Sequence, residues 1–295
     1  MKLRRTMMFV PGNHPGMIID AGIYGADTII LDLEDSVAIH EKDAARHLVY
    51  NAIRTMNYRC EVAVRINHIS TPFGIKDLDM ILRAKPDLIR LPKAETAEDI
   101  KQIDEIISAA EKVQGFTGGS IKMMAAIETA KGLRNAYNIA AASPRMVAIA
   151  IGGEDFLADL KTSRSRDGEE FLVARGQLLL AGREAGIHVI DTVFGDVNDE
   201  EAFIAETLRI KKLGFDGKSV VNPRQIRLVH EIFMPSRAEI EHAEQIVLAY
   251  RQALAKKSGV VSLNGKMIDA PVVARAERTL AYAGAVGKGK RGKDA

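Results

Sequence analysis

Short, nearly unbroken apolar runs alternate along this chain with longer amphipathic ones. The apolar runs are Thr6–Val10, Thr28–Leu33, Glu61–Ile66, Leu88–Leu91, Ile121–Ile127, Met146–Ile151, His188–Val193 and Asp216–Val221. A strand buried on both faces reads in this way. Between the runs lie helix-like segments, among them Lys42–Met56, Ala97–Lys112, Ala130–Ala142, Gly168–Ala185 and Asp199–Leu213. Thr96 with Asp99 and Ser236 with Glu239 have the spacing of capping boxes, and Pro223 suits the first turn of a helix. Strand followed by helix, repeated over a length near the ~250 residues such a fold needs, predicts an α/β (β/α)8 TIM barrel. A doubly wound open sheet would give the same local signals, but runs for all eight barrel strands are present.

After Phe233 the alternation stops, so the barrel is expected to occupy residues 1–233. Ala238–Lys257 reads as one long helix with Ile240, Ala243, Ile246, Val247 and Tyr250 as its apolar stripe. A turn-rich segment, SGVVSLNGKMIDAP, and a last helix from Val272 to about Ala283 complete a C-terminal helical lid extension over 234–284. Its mixed composition is that of a packed element. The stretch 285–295, ending in GKGKRGKDA, is expected to be a disordered tail. Its glycines match G-x-G-x-x-G only by accident, because no strand precedes them.

Charged residues repeatedly appear where an apolar run ends, as in ILDLEDS, VAVRIN, IRLPK, MAAIETAKG and AIAIGGEDF. In a parallel barrel those exits share one rim, the C-terminal face on which such folds build their sites. Composition removes rival uses of the charges. A net charge of +2, no tryptophan and 5% aromatic residues do not suit a dedicated nucleic-acid binder. No stretch approaches the ~20 apolar residues of a membrane span, and the apolar part of MKLRRTMMFVPG is too short for a secretory signal. Cys60 is the only cysteine, which fits a reducing compartment and a cytoplasmic protein.

Glu128 and the pair Glu154-Asp155 end consecutive strand runs. Two carboxylates side by side need a cation or a shared proton. Magnesium suits them, since it takes oxygen ligands and keeps water or substrate oxygens beside one or two carboxylates. Either acid alone would read as an ordinary helix N-terminal charge. The pair beside Gly152-Gly153 favours a metal, with the choice between Glu154 and Asp155 left open. Arg65 can clamp a carboxylate bidentately or pair with acids of the rim, Asp32 or Glu34. Asp32 and Glu34 are two residues apart and share a face, so both join Arg65 and Glu128 as candidates around a bound substrate. Lys93 is either a further positive charge or a solvated loop residue. No G-x-S-x-G elbow and no H-E-x-x-H zinc spacing is present. A divalent cation, an arginine and several acids suit a keto- or hydroxy-acid whose oxygen the metal polarises.

The segments MFVPGNHPGMI, LDLEDSVAIHEKDAAR, VRIN, RLPK, AIETAKG, AIGGEDF, DTVFGD, LGFDGKSVVNPRQI and VVSLNGKMIDAPV together resemble the citrate lyase beta-subunit family, whose relatives are malyl- and citramalyl-thioester lyases. That resemblance implies a magnesium-dependent barrel cleaving citryl-acyl carrier protein to oxaloacetate and acetyl-acyl carrier protein. It implies α and γ (acyl carrier) subunits as partners and a homo-oligomer, trimer or hexamer. It points to Glu128 and Asp155 as metal ligands, to Arg65 as the holder of the oxo-acid carboxylate, and to Asp269 as an acid that in relatives comes from a neighbouring subunit. A stand-alone citramalyl-CoA or malyl-CoA lyase would share the core motifs, and a non-catalytic subunit would not need the intact acids.

Overall fold

The computed structural model describes residues 2–255 and 258–291. Strands β1 (Thr6–Pro11), β2 (Thr28–Asp32), β3 (Glu61–Arg65), β4 (Leu88–Leu91), β5 (Lys122–Ile127), β6 (Met146–Ile151), β7 (His188–Asp191) and β8 (Gly217–Val220) close into one barrel in sequence order. All neighbouring pairs, β1 with β8 included, are parallel. The eight expected strands are therefore all present and form the expected barrel. Intervening helices are α1 (Pro15–Asp20), α2 (Lys42–Thr55), α3 (Gly74–Ala84), α4 (Ala97–Gln114), α5 (Ala130–Arg134), α6 (Ala136–Ala140), α7 (Gly153–Asp159), α8 (Leu172–Glu184), α9 (Glu200–Leu213) and α10 (Pro223–Phe233). The single helix expected over Ala130–Ala142 is two, broken at Asn135, whose side-chain amide donates to the Glu95 carbonyl at 2.7 Å. A side chain that bonds backbone elsewhere competes with the helix ladder.

Alternate strand residues point inward and fill the barrel. Met7, Ile30, Ala63, Leu88, Met124, Ala148, Ala150 and Ile190 form its buried apolar centre. At the N-terminal strand ends, Glu61 accepts from Arg4 Nε at 2.7 Å and Nη2 at 2.8 Å, and from Thr28 Oγ1 at 2.8 Å. This bidentate pair closes the end of the barrel away from the charged rim.

Helix α4 starts at the expected Thr96–Asp99 capping box and is tied to the barrel through Arg145. That guanidinium binds Asp104 Oδ1 at 2.5 Å and Glu111 Oε2 at 2.7 Å. Burial would raise the Glu111 pKa, but hydrogen bonds from Arg145 and the amides of Ile121 and Gly119 overcome it and hold the group at about 2 against an ordinary 4.5. A depressed carboxylate stabilises the fold above its unfolded value, and that contribution drains away as pH falls from about 4.5 through about 2. Glu111→Gln, which leaves Arg145 short of a partner, is expected to cost about 3 kcal/mol near neutral pH. It should also flatten the acid limb of a plot of denaturation midpoint against pH.

The chain divides into two compact units, one spanning Arg4–His230 and the other made of the residues from Glu231 onward with those before Arg4. In the second, α11 (Arg237–Ala255) starts at the expected capping box. The Ser236 amide donates to Glu239 at 2.7 Å, and the Glu239 amide to Ser236 Oγ at 3.2 Å. The segment expected to be merely turn-rich is a hairpin of β9 (Val261–Leu263) and β10 (Lys266–Ile268). It turns on Asn264 and Gly265, both at positive φ, as a tight two-residue turn demands. Ala243, Ile246 and Val247 of α11 pack with Ile268 and with Val273 and Ala276 of the last helix, α12 (Ala270–Arg291). Helix α12 thus runs into the stretch expected to be a disordered tail, whose residues 292–295 lie outside the described residues. Among the described residues no helix is long and apolar enough to cross a membrane.

Candidate active site

The C-terminal rim of the barrel gathers the charges that the sequence places at strand exits. Asp32 ends β2 and lies in register with Arg65, which ends β3. Arg65 grips Asp32 bidentately, Nε to Oδ1 at 2.6 Å and Nη2 to Oδ2 at 2.7 Å. Its Nη1 donates to Asp35 Oδ2 at 2.9 Å and lies 3.1 Å from Glu34 Oε2, a charge contact without hydrogen-bond geometry. Asp32 and Glu34 therefore do face the same cation. Burial would raise the Asp32 pKa, but the hydrogen bonds and charge of Arg65 prevail and lower it. The loop after β2 is held from below by Lys42, whose Nζ donates to the carbonyls of Leu33 at 2.8 Å and Glu34 at 2.6 Å.

Glu128 follows β5 and is 1% exposed. Its neighbour across the rim is the Gly152-Gly153 pair after β6. A Cβ at Gly152 would overlap the Glu128 carboxyl, and one at Gly153 would overlap the Thr192 hydroxyl. Gly152 thus lets the chain pass directly over Glu128, and Gly153 lets α7 start against Thr192. That helix carries Asp155 in its first turn. Burial, reinforced by the negative charges of Glu34 and Asp155, pushes the Glu128 carboxyl up to about 8. Its Oε2 is buried with no hydrogen-bond partner.

Lys93, in the loop after β4 at φ 50°, stands among these acids. Its Nζ is 2.8 Å from Glu34 Oε1, 3.3 Å from Asp155 Oδ2 and 4.0 Å from Glu128 Oε2. Of its two sequence readings the charged one holds: Lys93 is half-buried and shared by four carboxylates, Asp35 at 3.9 Å being the fourth. Glu154 also borders the cavity but pairs with Arg164 at 3.3 Å and is largely exposed, whereas Asp155 shares Lys93 with Glu128.

Asp32, Asp35, Arg65, Glu128 and Asp155 border a cavity of about 390 Å³ that Phe9, Arg90 and Ser219 also line. Among the described residues no three His, Cys, Asp or Glu side chains converge as a ready-made metal cluster. The donor set nevertheless fits a hard cation. It offers carboxylate oxygens only, one of them buried and unpartnered, and a lysine already serves as their shared positive charge. Magnesium needs only one or two such carboxylates when waters and substrate oxygens complete its octahedron. Arg90 escaped the sequence reading, although an arginine at an inward position of a four-residue buried strand was a signal for it. Asp269 lies in the C-terminal unit, where it caps α12: its Oδ1 accepts from the Val272 amide at 3.2 Å.

The family described as HpcH/HpaI aldolase/citrate lyase matches residues 5–223 of the chain. Citrate lyase subunit beta of Leuconostoc mesenteroides subsp. cremoris is 51% identical over 285 residues, 96% of this chain and 94% of that protein. Among solved structures, the Mycobacterium tuberculosis protein CitE in complex with magnesium, acetoacetate and coenzyme A superimposes with a TM-score of 0.79. It is 30% identical, covering 96% of this chain and 98% of that one. The citrate lyase beta subunit from M. tuberculosis complexed with oxaloacetate and magnesium gives a TM-score of 0.68 at 31% identity, over 80% of this chain and all of that one.

Proposed function

Since this chain belongs to the HpcH/HpaI aldolase/citrate lyase family, we propose that it is the lyase subunit of a citrate lyase. It cleaves citryl-acyl carrier protein to oxaloacetate and acetyl-acyl carrier protein, and works with α and carrier (γ) subunits as an oligomer in the cytoplasm. The observation that carries this reading is the meeting, in one cavity, of an arginine with a buried acid, Glu128, whose Oε2 accepts no hydrogen bond from the described residues.

Glu128 and Asp155 are the residues that would hold magnesium. When bound, the ion supplies Lewis-acid charge to the oxygen on which negative charge grows. Magnesium-bound relatives and the donor set support this assignment. Arg65 orients the carboxylate of the future oxaloacetate half. Asp32 and Glu34 fix that guanidinium in place, and Asp35, whose side chain is half exposed, is the partner most easily exchanged for substrate. The substrate's hydroxyl proton passes to water in the open cavity, that carbon becomes a ketone as the carbon–carbon bond breaks, and the electron pair stays on the acetyl carbon. Asp269 is the acid assigned to return a proton there.

Purified protein with citryl-CoA is expected to release oxaloacetate and acetyl-CoA in magnesium. Preferential turnover of (S)-citramalyl-CoA would instead assign the chain to the stand-alone lyases. Asp269→Asn should lower kcat by about a hundredfold with KM nearly unchanged, the loss typical of a missing general acid. An unaltered kcat would remove Asp269 from the mechanism.

A further inference from the structure

The cavity contains a buried cation that makes no ion pair with any of the described residues. Arg90 on β4 is 2% exposed, and it stands in register between Arg65 of β3 and Met124 of β5. Both guanidiniums lie over the ring of Phe9, Arg65 at 4.9 Å and Arg90 at 5.1 Å. Their surroundings differ sharply. Arg65 is surrounded by Asp32, Glu34 and Asp35. Among the described residues the one hydrogen bond of the Arg90 side chain is to the sulfur of Met124, from Nη1 at 3.7 Å, and its buried Nε has no partner. Burial and the neighbouring charge of Arg65 outweigh the opposing field of Glu128, Asp32 and Glu34, none of which forms an ion pair with it, and pull the pKa down to about 10. A guanidinium with that pKa still carries its charge at neutral pH.

Packing does not account for such a residue. A buried charge without a partner is costly, and a methionine or leucine would fill the same volume without the cost. Buried polar groups are otherwise paired, so an orphan lining a cavity marks where an occupant supplies the partner. Ser219, which lines the same cavity, has an equally unpartnered hydroxyl.

We infer that Arg90 binds the second carboxylate of the substrate, the one on the methylene arm that remains with oxaloacetate. The inference rests on the citryl reading of the site and sharpens it. A citryl thioester carries a carboxylate on the carbinol carbon and another on a methylene arm. Malyl and citramalyl thioesters carry only the first. Arg65 with the metal serves the shared carboxylate, and Arg90 serves the additional one. Substrates lacking it leave a buried arginine unpaired, and discrimination of that kind is strong.

Binding of oxaloacetate and of pyruvate to the full chain in magnesium buffer tests this, together with turnover of citryl-CoA. The wild-type protein is expected to prefer oxaloacetate by roughly 30-fold or more, the lower range for a buried charge pair. Arg90→Met should erase that preference, keep pyruvate binding, and show an unchanged or raised denaturation midpoint. Arg90→Lys should restore part of the preference. An absent preference in the wild type overturns the inference, and so does a preference retained in Arg90→Met. Equal weakening of both ligands with a lowered midpoint also overturns it, because that is the mark of a structural residue. If the preference depends on Arg90 but citryl-CoA is not cleaved, the carboxylate subsite stands and the citrate lyase reading fails.

Discussion

Glu128→Gln is expected to lower kcat/KM for citryl-CoA by roughly a thousandfold at saturating magnesium while the protein stays fully folded. The several kcal/mol that a metal contributes to charge developing in a transition state correspond to about that factor. The substitution keeps the shape of a side chain that is 1% exposed and pressed against Gly152, so packing is preserved. It removes a carboxylate that burial and the charges of Glu34 and Asp155 disfavour, so the metal-free protein should lose no stability. A structural glutamate would behave in the opposite way, with lost stability and modest loss of rate. Thermal unfolding with and without magnesium separates the two. The wild-type midpoint should rise with the ion, and the Glu128→Gln midpoint should not move. A magnesium-induced shift of wild-type size in the variant would exclude Glu128 as a ligand.

Arg65→Met is expected to be the most destabilising change at the site and to abolish useful turnover. Arg65 is the common partner of Asp32, Glu34 and Asp35, at 2.6, 3.1 and 2.9 Å. Removing one member of a buried ionic cluster leaves the others uncompensated and typically costs about 3–5 kcal/mol. Asp32, 1% exposed, has no access to water to recover that loss. Urea denaturation should report the stability change, and kinetics on the folded fraction should show kcat/KM reduced by at least about a hundredfold. Arg65→Lys keeps the charge and loses the bidentate grip, so it should recover most of the stability and little of the activity. Full activity in Arg65→Lys would show that the planar fork is not needed for the substrate carboxylate.

Much of the barrel can be read from the chain because its strands are buried on both faces. Runs such as TIILD, EVAVR and MVAIAI confine polar residues to their ends. The exits gave the candidates Asp32, Arg65 and Glu128, and the structure brings these around one cavity. What escaped depends on neighbours remote in sequence. Lys93 is a shared counter-charge only because β2, β5 and α7 bring Glu34, Glu128 and Asp155 to it. Glu154 and Asp155 are adjacent in the chain, and only the start of α7 turns one to Lys93 and the other to Arg164. Arg90 sits inside a strand, where local patterning assigns it to the core. Its lack of an ion partner is a property of the assembled barrel. The hairpin at Asn264-Gly265, by contrast, had its signal in plain view as the dipeptide that favours such turns.

The central claim is that one cavity holds magnesium on Glu128 and Asp155 together with an oxo-acid whose carboxylate Arg65 grips. Calorimetric titration of the wild-type protein with oxaloacetate, in magnesium and again in EDTA, tests it most directly. The account predicts saturable binding in magnesium, and binding weakened at least about a hundredfold in EDTA, because metal and arginine share one ligand. Equal oxaloacetate affinity in magnesium and EDTA would contradict it.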